Sequence, residues 1–324
     1  MTSLFESRIL ITGGNGFIGG HLAVELLEKF PKSKIYLLDQ FDRIPLNPFI
    51  KEILTKIEMV NCDLTDFDDI KKAMKHAEPL HIFHLGAYTR VGRDFSHVDK
   101  AIQINIQGTV NLLHALENSD FESFIHIGTS EEYGRNPVPF REDMPVDPPS
   151  PYSVSKAASE MFCRVYQEAY GFPIVFLRPF NVYGEAQSPT MLIPELIISC
   201  IKGKNIKLTQ GKQTREFNYV KDIVSALIMA SQTKKVVGKT INIGCGEEHT
   251  IREIVMLILE LMGHPIKPLF GALPYRDNEI WRMFCDNSLA KTLLGWKPHY
   301  TLEEGLKRTI KWYKENYRMF SGGK

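Results

Sequence analysis

The sequence has no CxxC pair, and its five cysteines (Cys62, Cys163, Cys200, Cys245 and Cys285) are odd in number and scattered. That excludes a disulfide framework and suits a reducing compartment, so a cytoplasmic location is expected. There is no long uncharged apolar run. The most apolar helical stretch, 254–262, is short and contains Glu260, too little to cross a bilayer. Glu6 and Arg8 interrupt the start, so no signal peptide is expected, and no membrane partner. Net charge is nearly absent at +1, which excludes bulk attraction to nucleic acid or to an anionic membrane. The sequence lacks a GxSxG elbow and a Walker A lysine-serine motif. His81 and His84 cannot share a strand face, and no other His/Cys group has ligand spacing, so no metal is expected. Repeats and low-complexity tracts are missing too.

What is present is an ordinary soluble composition: 324 residues, 44% hydrophobic and 24% charged, enough for one large domain or two smaller ones. The informative stretch is Arg8-Ile-Leu-Ile-Thr-Gly-Gly-Asn-Gly-Phe-Ile-Gly19. It reads as strand, tight turn, then a helix with Leu22, Val24, Leu26 and Leu27 on its apolar side. Two frames fit. Gly14, Gly16 and Gly19 match the GxGxxG dinucleotide fingerprint, and Gly13, Gly16 and Gly19 give a wider spacing. In either frame one glycine makes the turn, one admits a pyrophosphate to the backbone, and one lets the helix pack on the sheet. The anion then meets unpaired N–H groups at a helix N-terminus. Asp39 ends the next apolar run, 20 residues after Gly19, where a carboxylate binds the adenosine ribose. An acid there favours NAD and repels the extra phosphate of NADP.

Short apolar runs then alternate with helical patterns. Strands are expected at 57–63, 81–87 and 172–178, with a strand and its C-terminal loop over 124–134 and helices at 66–77, 98–118 and 152–170. This alternation is the βαβ signature of an α/β fold, a Rossmann-like doubly wound parallel sheet. The small residues ending the 81–87 strand would let a dinucleotide lie close to the backbone. Gly108 inside the 98–118 helix needs a packing reason. After Tyr183 the pattern changes: helices at 191–201, 219–231, 251–262 and 302–317, and short strands at 206–209 and 239–243. The expected division is a cofactor domain over 1–183, with 214–244 returning to it. A smaller interleaved α/β substrate domain covers 184–213 and 245–324. Substrate then lies in the cleft between them, beyond the C-terminal strand ends.

Tyr152 and Lys156 stand four apart at a helix start and share one face. A phenol is a poor base near neutrality; a neighbouring ammonium and the positive nicotinamide are expected to lower its pKa. Tyr152 can then take a proton from a sugar hydroxyl during oxidation, while Lys156 also holds the nicotinamide ribose. Thr129-Ser130-Glu131-Glu132 ends a parallel strand at the cleft. Thr129 can bond the hydroxyl being oxidised. Oxidation at sugar C4 acidifies the C5 proton, which Glu131 can remove. Glu132, facing the other way on an extended strand, is expected in a solvated loop near Arg135. Arginine forks suit a diphosphate, and Arg215 and Arg276 are candidates. Lys202, Lys204, Lys207 and Lys212 read as a solvated face.

The whole chain resembles the extended short-chain dehydrogenase/reductase family, in particular its nucleotide-sugar epimerases, dehydratases and decarboxylases. Five stretches carry the resemblance: Thr12–Gly19, Asp63-Leu-Thr-Asp66, His84-Leu-Gly-Ala87, Tyr152 with Lys156, and Arg178-Pro-Phe-Asn-Val-Tyr-Gly184. The resemblance implies a retained NAD. It puts Gly13, Gly16, Phe17, Ile18, Gly19 and Asp39 at that cofactor, with Leu85, Ala87, Tyr152 and Lys156, and Asp63 and Leu64 flanking adenine. Asn105 would support the lysine. Asn181 would bond the substrate diphosphate, Arg215 and Arg276 would hold it or the nearby ribose, and Glu279 would meet the nucleotide ribose. The resemblance also implies a homodimer built as a helix bundle.

Thr129-Ser130-Glu131 with Tyr133-Gly134 resembles the GDP-mannose 4,6-dehydratases, in which the threonine and glutamate are catalytic. Sugar-nucleotide 4,6-dehydration is therefore the leading expectation, with Ser130 assisting. The alternatives are a 4-epimerase, which needs no carboxylate, a UDP-glucuronate decarboxylase, and a non-catalytic NAD-binding protein. This chain departs from the family pattern at Gly86, at the Tyr88–Val91 loop, at Ser130, where dTDP-glucose dehydratases carry Asp, and at Glu132, where an apolar residue is usual.

Overall fold

Buried side chains alternate between two faces of one sheet in the structure, a computed structural model that describes residues 3–90, 95–276 and 278–320. Val91, Asp277 and the two ends of the expected domains lie outside the described residues. The strands of the N-terminal half are β1 (Arg8–Thr12), β2 (Lys34–Asp39), β3 (Glu58–Asn61), β4 (His81–His84), β5 (Ser123–Ile127) and β6 (Ile174–Pro179). Ile9, Ile11, Leu37, Phe83, Ile125 and Leu177 face one core. Leu10, Leu38, Ile82, Phe124 and Phe176 face another. A strand can bury both faces only when layers cover both sides, and this near-continuous apolar reading marks an interior parallel sheet.

The helices between these strands are α1 (Phe17–Lys29), α2 (Pro48–Ile53), α3 (Phe67–Ala77), α4 (Val98–Ala101), α5 (Gly108–Ala115) and α6 (Pro151–Tyr170). Local chemistry sets their ends. Asp66 caps α3 by accepting the N–H groups of Asp68 and Asp69. Ser150 caps α6 reciprocally with Ser153, Pro151 opens the first turn, and Gly171 closes the helix at φ 70°. Each such cap contributes about 1 kcal/mol. The expected 98–118 helix is interrupted: a π-helical turn over Ile102–Gln107 joins α4 to α5. Gly108 follows it for a packing reason, since a Cβ there would stand 2.9 Å from the Leu64 Cβ.

The second half adds β7 (Val182–Tyr183), α7 (Leu192–Lys202), β8 (Lys207–Leu208), β9 (Thr214–Arg215), β10 (Asn218–Tyr219), α8 (Val220–Ser231), β11 (Thr240–Ile243), β12 (His249–Thr250), α9 (Ile251–Met262), β13 (Leu269–Phe270) and α10 (Leu302–Glu315). The main sheet has the order β11-β6-β5-β4-β1-β2-β3, all parallel. This is the doubly wound Rossmann arrangement, whose order reverses between β1 and β4. The strand expected at 239–243 does return to this sheet, beside β6. The remaining short strands pair outside it, β7 with β10, β9 with β12 and β8 with β13. Ile193, Ile197, Ile254, Ile258 and Leu306 of the second half join the β1–β2 core face. Among the described residues no helix is long and apolar enough to cross a membrane.

Candidate active site at the C-terminal strand ends

The turn after β1 uses each glycine differently. Gly13 has φ +66°, and a Cβ on it would lie 2.8 Å from the Gly86 Cα. A Cβ on Gly19 would run into the carbonyl of Gly13, and one on Gly14 would lie 2.8 Å from the Leu37 Cβ. The Gly13, Gly16, Gly19 frame therefore holds the three roles, with Gly14 packed behind against β2. Gly16 donates its N–H to Gly13 at 3.0 Å and precedes α1, which no side chain caps. The first N–H groups of α1 thus have neither a helical acceptor nor a side-chain cap. That cradle fits a dinucleotide pyrophosphate. Gly86 completes it: a Cβ there would meet Leu64 at 2.7 Å and the Thr12 hydroxyl at 3.1 Å. The departure from the family pattern at this position is a close approach between two loops.

Asp39 ends β2 beside this turn. Its Oδ2 accepts from the Asn15 N–H at 3.0 Å and its Oδ1 from the Gln40 N–H at 2.9 Å. Burial pushes its carboxyl up, and the two backbone donors act against that. Asp63 takes the Thr65 N–H and hydroxyl on one oxygen and Arg43 at 3.3 Å on the other. Arg43 thereby bridges from the loop after Asp39 to the loop after β3. Leu85 and Ile18 line one apolar cavity with Ile127 and Leu177. Ala87 follows Gly86, half-buried, and Phe17 lies beside Gly184 and His21.

Thr129, Ser130, Glu131 and Glu132 are not an extended strand end. Ser130–Tyr133 forms a single 3-10 turn capped by Thr129, and Glu132 caps it in return. This corrects the expectation of an extended strand end with Glu132 solvated. Both are buried, Glu132 with no exposed surface. Arg135 pairs with Asp147 instead. Glu132 accepts the Thr129 N–H at 2.8 Å and lies 2.8 Å from the Arg178 Nε, close but poorly aligned for a hydrogen bond. Tyr133 pins the turn, donating its hydroxyl to Asn242 at 2.7 Å and packing against Phe140.

Tyr152, on the first turn of α6, is half-buried, and the Thr129 side chain acts on its phenol. Burial pushes the phenol up, Thr129 pulls it down, and Glu131 and Glu132 push it further up. In the protein alone desolvation is the largest influence on the phenol; the lowering expected with NAD bound adds the positive nicotinamide to the ammonium. Lys156 is buried, and burial pulls it down against Glu132, Cys163 and Glu160. Asn105, expected to support the lysine through structure or water, bonds the residue before it. Its side chain accepts from the Tyr88 N–H at 2.6 Å and donates to the Tyr88 carbonyl and, at 2.8 Å, to Ser155. It orders the neighbouring loop and helix turn.

The second half contributes the remaining residues. Arg215 donates to the carbonyls of Thr214 (2.7 Å) and Ile280 (2.6 Å) and to Glu279 (2.6 Å). Burial pulls Arg215 down, Glu279 opposes it, and the charges of Arg276 and Glu131 also act on it. The fold therefore brings Arg215, Glu279, Arg276 and Glu131 into one electrostatic neighbourhood; Arg276 itself is exposed. Asn181 donates to the Glu216 carbonyl at 3.1 Å and contacts the Met283 sulfur at 3.8 Å. Ser130 donates to that same sulfur at 3.3 Å. Met283 is a residue that sequence reasoning missed, and no motif marks it. Among the described residues no three His, Cys, Asp or Glu side chains converge as a metal site. The four lysines at 202, 204, 207 and 212 are exposed.

A glycine cradle at the switch point of a Rossmann sheet, joined to a Thr/Tyr/Lys set on β5 and α6, defines an extended short-chain dehydrogenase/reductase. The family model for GDP-mannose 4,6 dehydratase matches residues 10–309, and the chain belongs to that family of nucleotide-sugar epimerases and dehydratases. The chain is 31% identical to the dTDP-D-glucose 4,6-dehydratase of Homo sapiens, over 97% of this chain and 91% of that protein. The structure of UDP-glucuronic acid 4-epimerase from Bacillus cereus, in complex with UDP-glucuronic acid and NAD, is 31% identical with a TM-score of 0.83, covering 95% of this chain and 99% of that one. UDP-glucose 4-epimerase from Thermotoga maritima, with UDP-glucose, is 27% identical with a TM-score of 0.88, over the same shares.

Proposed function

We propose that this chain, an NAD-dependent enzyme of nucleotide-sugar interconversion, works at sugar C4 and acts as a nucleoside-diphosphate-sugar 4-epimerase. The Thr129 side chain holds the hydroxyl at C4, and Tyr152 takes its proton. NAD, when bound, accepts the C4 hydride and returns it. Lys156 stabilises the phenolate as it forms and holds the nicotinamide ribose. Asn181, Arg215, Arg276 and Glu279 grip the nucleotide end, so the 4-keto hexose can turn its other face before reduction. On this reading residues 1–183 and 214–244 serve the cofactor, and 184–213 and 245–324 the substrate. The observation that carries it is at Ser130. Where dTDP-glucose dehydratases carry an acid that helps expel the C6 hydroxyl as water, this position holds a hydroxyl committed to the Met283 sulfur, and the chain shares its fold with UDP-glucose and UDP-glucuronic acid 4-epimerases over 95% of its length.

One observation favours 4,6-dehydration as a second reading. Glu131 is buried, and its charge acts on both Tyr152 and Arg215. A carboxylate there can take the C5 proton and pass it to the departing C6 hydroxyl. Incubation with UDP-, GDP-, CDP- and dTDP-sugars, read by mass spectrometry and NMR, separates the two. Epimerisation leaves the mass unchanged, dehydration loses water, and decarboxylation of UDP-glucuronate releases carbon dioxide. For an epimerase, Glu131→Gln is expected to keep kcat within about threefold; for a dehydratase it loses about 10²-fold or more, the scale of a missing general base. Failure to turn over any of these sugars would sink both readings.

The homodimer is proposed on an exposed apolar stripe. Val154, Met161 and Val165 of α6 are 49%, 56% and 60% exposed, and Ile102 on the adjoining helix is 48% exposed. Positions 154, 161 and 165 share one helical face, and contiguous exposed apolar patches mark interaction sites. Light scattering should give twice the 37.0 kDa chain mass; the single-chain mass at micromolar concentration would remove the proposal.

A further inference from the structure

One buried acid has no role in this scheme. Glu132 is fully buried. Gly128 makes room for it, since a Cβ there would lie 2.7 Å from the Glu132 Oε1. Arg178, 2.8 Å from Glu132, reaches on to Glu160 at 3.1 Å, and Glu160 takes Arg164 at 2.7 Å. The signs alternate along this ladder. Glu160 is one helical turn beyond Lys156 on α6, so the ladder runs past the ammonium. Without Glu132, three cations (Arg178, Arg164 and Lys156) would share Glu160 as their anion within the ladder.

We infer that Glu132 is a positioning residue: one carboxylate oxygen caps the turn that carries Thr129 and Glu131, and the other, on Arg178, supplies the counter-charge for Lys156. The inference rests on the reading of Tyr152 and Lys156 as the reacting pair. A buried ammonium is costly unless an anion accompanies it. Burial pulls Lys156 down, and Glu132 is the largest influence acting the other way, ahead of Cys163 and Glu160. Glu160, the other carboxylate of the ladder, is already shared by Arg178 and Arg164. His84 and His126, from β4 and β5, are kept neutral by burial, and the Cys163 thiol is pushed up. Tyr133 is pushed up as well, and Glu131 acts on the Tyr152 side. The carboxyl of Glu132 is itself pushed up by burial, to about 7, against Arg178 and Lys156. Its charge is therefore present at alkaline pH and lost as the pH falls.

Glu132→Gln keeps the shape and an oxygen for the Thr129 N–H but deletes the charge. Removing a negative charge lowers the pKa of both the Lys156 ammonium and the Tyr152 phenol. In protein carrying 13C-lysine, with the signal assigned through Lys156→Arg, the Lys156 midpoint is expected to move about one pH unit to the acid side. Both limbs of the kcat profile should move with it, so kcat on the alkaline limb is about tenfold below wild type at equal pH. KM for the sugar nucleotide should stay within about threefold, because Glu132 acts through other residues. The difference should vanish at acid pH, where wild-type Glu132 is itself protonated. An unmoved Lys156 midpoint overturns the inference, as does a moved midpoint with unmoved kcat limbs. If Glu132→Gln fails to fold, Glu132→Leu fills the space without an unpaired polar group and carries the same comparison. The lysine titration needs no substrate, so it decides this inference even if no nucleotide sugar is turned over.

Discussion

Replacing Tyr152 by Phe is expected to lower kcat by about 10²–10⁴-fold, the span of a lost general base, while melting temperature and NAD affinity change little. The ring keeps its place on the first turn of α6 without the hydroxyl. What disappears is the only group of the Thr/Tyr/Lys set that can both take and return the proton on the sugar oxygen. Thr129 is too weak a base, and Lys156 is needed as an ammonium. Because burial, Glu131 and Glu132 all push the phenol up, wild-type activity should rise with pH on the acid limb, and Tyr152→Phe should flatten that limb. Steady-state turnover of whichever nucleotide sugar proves to be the substrate checks this. Turnover that Tyr152→Phe leaves intact would return the chain to the class of non-catalytic NAD-binding proteins.

Arg178→Ala is expected to destabilise the fold by about 3–5 kcal/mol, the cost of leaving buried charge without its partner. Arg178 sits between Glu132 and Glu160 and over the Tyr133 ring at 4.8 Å. Burial pulls the guanidinium down, but the two carboxylates outweigh it and its charge is secure. Without it both acids face each other across a dry space. The loss has a defined pH dependence. The folded-state pKa of Glu132 is raised above its unfolded value near 4.5, so the native state binds the extra proton and stability falls as pH rises through that window. Deleting Arg178 raises that carboxyl further and deepens the fall. Thermal melts from pH 5 to pH 8 should therefore separate Arg178→Ala from wild type more at the alkaline end. Parallel curves would mean that Glu132 is already neutral in the wild-type protein.

Much of the site was legible before any coordinates. The glycine turn, Asp39, and the Tyr152/Lys156 pair are local patterns, set by residues within one strand, turn or helix of each other. The chemistry they require is written in their spacing. Element positions followed for the same reason: the helices expected at 152–170 and 251–262 lie within a residue or so of α6 and α9. What sequence reading missed is non-local. Met283 reaches Ser130 from 153 residues away. Glu132 looked solvated because adjacent residues were assumed to stand on a strand; the 3-10 turn instead swings it inward onto Arg178.

The sequence by itself determined the Rossmann sheet and the NAD cofactor and put Tyr152 and Lys156 forward as the candidate pair, because each depends on backbone conformation and charge over a few consecutive residues. Only the tertiary structure decided which glycine does which task, that Gly86 and Gly108 exist to admit Leu64, and that Glu131 and Glu132 are both withdrawn from water. Those facts depend on which distant atoms arrive at the same place. Burial, which governs the acidity of Tyr152, Lys156 and Glu132 alike, is a property of the packed whole.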